Sequence, residues 1–201
     1  MRVVHLNPSS YRQMPWKNGL GITTEIARRP VEGEIDWRVS VARVAADGPF
    51  SKFPGCDRVI VALDGAGMTL THHETGAVAA LARLEPWSFS GDWTTSCVLR
   101  EGAIRDFNVI TRRAAVAAEV AVLLLDGLRS IDLSAATTLL YCVSGSAVTG
   151  SELTIPMAPD DTVIVERAPV LTECLPIRPS GEHATVIRVD IHPISPKRPL
   201  W

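Results

Sequence analysis

The chain has 201 residues, with 20 Lys plus Arg against 22 Asp plus Glu and a formal net charge of −2. Hydrophobic residues make up 46% and charged residues 21%, ordinary globular composition that can bury a core in one large domain or two small ones joined closely. The balanced charge argues against nucleic acid or an anionic membrane as the main partner, since both require a basic surface, and no run has the length of a membrane-spanning helix.

The first residues, MRVVHLNPSSYRQ, lack the long apolar stretch and small-residue cleavage site of a secretory leader, so the cytoplasm is the expected location. Next comes "MPWKNGLGITTEI" (14–26), which sets Trp16, Lys17 and Asn18 side by side, bends at Gly19 and Gly21, and returns with Glu25. "DWRVSVARV" (36–44) alternates as a strand: Trp37, Val39 and Val41 share one face, and Arg38, Ser40 and Ala42 share the other. "DGPFSKFPGCDR" (47–58) carries Phe50 and Phe53 on a loop pinned by Gly48, Pro49, Pro54 and Gly55, and ends at Arg58. Exposed loop aromatics are costly unless something covers them, so these two either cap the end of a barrel or form a lid over a ligand.

"RVIVALDGAG" (58–67), "MTLTH", "CVLR", "RDFNVI", "TLLYCVSGS", "DTVIVE" and "ATVIRVDI" continue in the same short-strand style, with 14 Gly and 14 Pro as punctuation. Within "RDFNVITRR" (105–113), Asp106 and Asn108 share one face, opposite Phe107 and Val109. The stretch "RRAAVAAEVAVLLLDG" (112–127) fits a helix by its alanines and a strand by its valines. Many short strands without long helices predict a sandwich or barrel. "RVIVALDGAG" is also echoed by "TLLYCVSGSA" (138–147), each followed by a proline-bearing turn and another strand, which predicts two similar β-barrels meeting near residues 111–127.

A His-based metal site needs two or three imidazoles converging from neighbouring strands. Only His72 and His73 adjoin, and adjacent strand residues point to opposite faces, so "HHETG" reads as a polar hairpin tip and no metal or other cofactor is expected. Cys56, Cys97, Cys142 and Cys174 form no C-x-x-C pair and read as buried free thiols. The lone Gly pairs have no following helix or Lys to make a phosphate loop, and no G-x-S-x-G is present.

Arg38, Ser40, Asp106 and Asn108 are a hydrogen-bonding set rather than the Lys/Glu/Thr mixture of a wet face, and they accompany Trp16, Lys17, Asn18 and Glu25 in the same half of the chain. Arg and Lys together suit a carboxylate, the one by its fork and the other as a point charge. With Phe50, Phe53 and Arg58 added, these residues are the candidate ligand-binding set, lining a pocket in the first barrel.

The blocks "MPWKNGLGITTEI", "DWRVSVARV", "DGPFSKFPGCDR", "FSGDW" and "RDFNVITRR" resemble, in order and spacing, the signature blocks of the HutD/Ves family, covering most of residues 14–113. Leu20 interrupts "NGLG" where the family runs on in glycines. The resemblance implies an all-β fold of double-stranded β-helix (cupin) barrels, two in one chain. The first would span residues 1–111 and the second, more divergent, residues 112–201. HutD-type proteins are encoded with the enzymes of histidine breakdown. The implied role is regulating or buffering that pathway by binding an intermediate such as formylglutamate or urocanate. Ves-type relatives are linked to stress responses, and no established catalysis comes with the family.

The expected function is thus metal-independent binding of a small carboxylate. Its rivals are a metal-free isomerase or hydrolase with Lys17 or Asp106 as general base, and a protein-interaction module. Whether the chain forms a homodimer stays open.

Overall fold

The structure, a computed structural model, describes residues 1–16, 21–31, 33–150, 154–167 and 173–194. Its elements begin with β1 (Arg2–Leu6), a single 3-10 turn (Pro8–Ser10), β2 (Arg12–Pro15), β3 (Gly21–Val31) and β4 (Glu34–Val44). There follow β5 (Gly48–Phe50), β6 (Cys56–Ala62), β7 (Met68–His72), β8 (Ala77–Leu81), β9 (Pro86–Ser90), β10 (Thr95–Leu99) and β11 (Ile104–Arg112). The remainder is β12 (Val116–Leu125), β13 (Arg129–Leu133), β14 (Thr137–Thr149), β15 (Ile155–Met157), β16 (Thr162–Glu166) and the 21-residue β17 (Glu173–Pro193). The all-β expectation stands.

Three antiparallel sheets result. A six-stranded sheet runs β2-β3-β4-β11-β6-β9, a four-stranded sheet β5-β10-β7-β8, and a seven-stranded sheet β1-β16-β14-β17-β12, with β13 added on β17 and β15 on β14. One pairing scheme occurs twice. In the first version β11 pairs β4 and β6 while β10 pairs β5 and β7. In the second, β17 alone pairs β12, β13 and β14, so it stands for β10 and β11 together, and β14 stands for β6 and β7. The first strand crosses over: β1 pairs β16, from Arg2 opposite Glu166 to Leu6 opposite Thr162.

The sequence echo has a backbone cause. Gly65 and Gly145 fall at the same place in the two copies and both are left-handed, at φ +73° and +70°. A Cβ would stand 2.7 Å from Ile104 Cγ2 at the first and 2.3 Å from the His183 carbonyl oxygen at the second. Only glycine meets both demands.

Alternation along the strands divides the six-stranded sheet into two faces. Trp37, Val39, Val61, Phe107 and Val109 pack on Leu139, Tyr141, Ile187 and Val189 of the seven-stranded sheet. On the other face, Ile60 and Phe89 meet Met68, Leu70, Leu81 and Cys97 of the four-stranded sheet. The seven-stranded sheet folds over on itself around Leu133, Leu140, Met157, Val163, Ile177 and Val186. Each fully buried side chain of this kind contributes about 1.5–3 kcal/mol.

The ambiguous stretch 112–127 is a strand. Val116 is buried and Val120 and Val122 pack against the shared core while Ala117 and Ala121 face outward, so pairing with β17 outweighs the helical preference of the alanines. Across the two halves, Arg105 reaches from Asp64, Nε to Oδ2 at 2.7 Å, to Asp160, Nη1 to Oδ1 at 3.0 Å. Tyr141 donates its hydroxyl to the same Asp160 carboxylate.

Candidate functional site

The four-stranded-sheet side of the six-stranded sheet also borders a cavity of about 650 Å³, closed on its far side by β5 and the loop that follows. That volume lies within the range of small-ligand sites, about 300–1,000 Å³. Strand register sets its polar residues in rows across β4, β11 and β6. Arg38, Ile110 and Arg58 form one row, Ser40, Asn108 and Ile60 the next, and Ala42, Asp106 and Ala62 the third.

Arg58 is the deepest cation, 5% exposed. Its guanidinium lies over the rings of Phe50, Phe53 and Phe89, with centroids at 5.5, 5.2 and 4.9 Å. Nη1 donates to the Ser51 carbonyl at 3.1 Å. Burial pulls its pKa down to about 10, although the charge of Asp106 works the other way. Phe50 and Phe53, expected to cap the barrel or to form a lid, are half-buried against this cation.

Asp106 is 1% exposed, and burial pushes its carboxyl up to about 6 against the opposing pull of Arg58 and Asn108. Asn108 Nδ2 donates to Asp106 Oδ1 at 3.4 Å.

Arg38 is held from β3. Its Nε lies 3.2 Å from Glu25 Oε2, a close ion pair, yet this buried Nε has no aligned hydrogen-bond acceptor. Burial lowers its pKa and the Glu25 charge partly restores it. Ser40 is buried in the lining beside it, whereas Glu25 stands beside the cavity and reaches it through Arg38.

Trp16 forms a wall. Its Nε1 donates to Thr23 Oγ1 at 2.8 Å, and its amide donates to the Gly21 carbonyl at 2.9 Å. A Cβ on Gly21 would stand 2.5 Å from the Arg43 carbonyl oxygen and 2.8 Å from Trp16 Cε3, so that glycine is where the indole lies down. Lys17 and Asn18 lie outside the described residues.

The structure therefore brings Trp16, Arg38, Ser40, Phe50, Phe53, Arg58, Asp106 and Asn108 to one cavity. Sequence reading missed Met14, Thr23 and Ile110 in the lining and Phe89 beneath Arg58. For Thr23 the signal was present, two residues from Glu25 on the same strand.

Among the described residues, no three His, Cys, Asp or Glu side chains group as a metal would need. A single carboxylate among guanidiniums and an amide is a poor donor set for a cation. His72 is fully buried behind the cavity, with Nδ1 bonded to Thr95 Oγ1 at 2.9 Å and Nε2 accepting from Trp87 Nε1 at 3.1 Å. Burial lowers its pKa, so it serves as a neutral packed ring beside Phe89 and Trp93. Cys97 and Cys142 are buried as expected. Cys174 is not: it is exposed, its Sγ 3.2 Å from Asp132 Oδ1, because it lies on the solvent face of β17.

The HutD family model matches residues 8–182. The chain belongs to the HutD family. It is 39% identical over 141 residues to a 21.2 kDa protein of the hutC 3′ region of Pseudomonas putida, covering 69% of this chain and 73% of that one. To protein Ves of Citrobacter koseri it is 39% identical over 116 residues, covering 55% of this chain and 60% of the Ves protein.

Among solved structures, a conserved protein of unknown function from Pseudomonas aeruginosa PAO1 matches with TM-score 0.87 and 33% identity, covering 96% of this chain and all (100%) of that one. HutD from Pseudomonas fluorescens SBW25 matches with TM-score 0.84 and 29% identity over the same shares, 96% and 100%. A cupin 2 conserved barrel protein from Leptotrichia buccalis, at 7% identity and TM-score 0.58 over 85% of this chain and 88% of its own, shares the fold alone. The HutD fold here is thus of the cupin kind, and family membership associates the chain with histidine utilisation.

Proposed function

We propose that this HutD-family protein binds a small carboxylate without a metal. It would act in the cytoplasm to regulate or buffer histidine catabolism by holding an intermediate such as formylglutamate or urocanate. One observation carries the reading: Arg38 lines the cavity, and its buried Nε, 3.2 Å from Glu25 Oε2, has no aligned hydrogen-bond acceptor among the described residues. A buried donor left without an acceptor costs about 1–3 kcal/mol, and a ligand carboxylate supplies what is missing. Arg58, fixed by three rings and the Ser51 carbonyl, adds a second cation that does not have to be ordered on binding.

A thermal-shift screen of histidine-pathway intermediates, followed by calorimetric titration, tests this, because a ligand that binds only the folded form raises its melting temperature. Stabilisation by at least one of these acids is expected, and its loss in Arg38→Ala. No stabilisation by any acid of the series would overturn the reading.

A second reading is favoured by Asp106 alone. A buried carboxyl pushed up to about 6 beside a cavity is poised as a general base, and the protein would then be a metal-free isomerase or hydrolase of a related acid. NMR observation of each candidate acid with purified protein decides between them. Turnover that disappears in Asp106→Asn supports the enzyme.

A further inference from the structure

β3 does not alternate regularly where it borders the cavity. Glu25 pairs with Ser40 and Ala27 with Val39, so Ile26 is an extra residue in the ladder. This β-bulge changes which way the following side chains point. In a regular strand, residues three apart lie on opposite faces, and Arg28 would turn away from Glu25. The bulge sends both Ile26 and Ala27 toward the core shared by the two halves and returns Arg28 to the sheet face of Glu25 and Arg38. There Arg28 lies directly opposite Arg38, and its Nε is 3.5 Å from Glu25 Oε1.

The row across the sheet therefore contains three guanidiniums: Arg28, Arg38 and, beyond Ile110, Arg58. Their exposure falls along the row from β3 to β6. The Arg28 side chain is 44% exposed and that of Arg38 18%, and Arg58 is 5% exposed as a residue. Neighbouring strands are about 4.8 Å apart, so Arg28 and Arg38 are one strand spacing apart and Arg58 two further. Glu25 bridges the outer pair with one carboxylate, Oε1 toward Arg28 and Oε2 toward Arg38. A side-chain carboxylate thus already occupies the gap between Arg38, in the cavity lining, and Arg28, which stands outside that lining beside a second hollow bordered by Ala27 and Trp37.

We infer that Arg28 is a specificity residue that reads the second acid group of a dicarboxylate. The inference rests on the carboxylate-binding reading above and goes beyond it by naming the ligand class and the discriminating side chain. The first acid group lies within, at Arg38 and Arg58. The second extends past Arg38, where Arg28, just outside the lining, is long and exposed enough to leave Glu25 and meet it. A monocarboxylate gains only the inner contacts.

Calorimetric titration with glutarate and butyrate, which share most of a carbon chain and differ by one acid group, tests this on the parent and on Arg28→Gln, Arg28→Lys and Arg38→Ala. The parent is expected to prefer glutarate, and Arg28→Gln to cut the glutarate-to-butyrate ratio about fivefold, as fits a half-exposed ion pair. Arg28→Lys should retain part of the preference, and about 0.15 M salt should narrow it in the parent, since the outer contact is screened. Arg38→Ala should weaken both acids. Equal affinity of the parent for the two acids, or an unchanged ratio in Arg28→Gln while Arg38→Ala weakens both, would overturn the role of Arg28 and leave carboxylate binding standing. Binding of neither acid to the parent would overturn both.

Discussion

Arg58 directs two of its donors at one atom of Asn108: Nε and Nη2 lie 3.4 and 3.2 Å from the amide Oδ1. The other end of that amide donates to Asp106, so a neutral side chain stands between a buried cation and a buried acid. Its two ends have opposite polarity, and only an amide of this length supplies an acceptor to the one and a donor to the other from a single strand position.

Replacing Asn108 by Ala leaves the Arg58 guanidinium short of an acceptor and should lower stability by roughly 1–3 kcal/mol. Asn108→Asp keeps the acceptor for Arg58 but sets a second carboxylate beside Asp106, so it should weaken any anionic ligand. Urea unfolding measures the first effect and calorimetric titration the second.

Arg38→Ala should weaken a carboxylate ligand about ten- to a hundredfold, since a charge-assisted hydrogen bond is worth about 1.5–3 kcal/mol and each 1.4 kcal/mol is a factor of ten. Arg38→Lys should recover only part, because the planar fork is lost. The melting temperature of the empty protein should barely move. A large drop in melting temperature with no loss of affinity would mark Arg38 as structural.

For Asp106, the folded carboxyl at about 6 holds its proton more tightly than an unfolded one near 3.9, so its contribution to stability is full below about pH 4 and is lost as pH rises through 6. Above that range the ionised, buried carboxylate burdens the fold by roughly 3 kcal/mol. Asp106→Asn should therefore melt higher than the parent at pH 8, with the difference closing toward pH 4. Carboxylate affinity of the parent should rise as pH falls through 6, while that of the variant stays flatter. Melts and titrations across this range check both.

Gly65→Ala and Gly145→Ala should each cost about 1–2 kcal/mol for the left-handed backbone and about 1–3 kcal/mol more for the crowding around the new Cβ. Gly76, also left-handed at φ +71° but with open space around it, provides the control, and Gly76→Ala should show the backbone cost alone. Chemical denaturation of the three variants separates the two contributions.

Much of this arrangement is legible in the chain because a strand has a period of two. That period alone puts Arg38 with Ser40 and Asp106 with Asn108, and antiparallel pairing of β4 with β11 then sets the two pairs in adjoining rows. What defeats the period stays hidden. Ile26 is an unremarkable residue in "TTEIARR", yet as a bulge it reverses the facing of Arg28, and no local pattern announces it. Burial of His72 depends on Phe89, Trp87 and Trp93, which arrive from β9 and the turn after it. The strand over Val116–Leu125 depends on β17, about 70 positions further along, and local preference left it undecided.

The pairing of β1 with β16 bears on how the molecule comes into being. Residues 2–6 leave the ribosome about 160 positions before their partners at 162–166 are made. Until then Val4 and Leu6 have no ladder to join, and contacts this distant in sequence are slow to close. A break at the junction between the halves would strand β1 on one fragment and leave β16 an apolar, unprotected edge on the other, an invitation to aggregate. β1 thus buckles the first half to the second, and the two halves are best regarded as partners in a single act of folding.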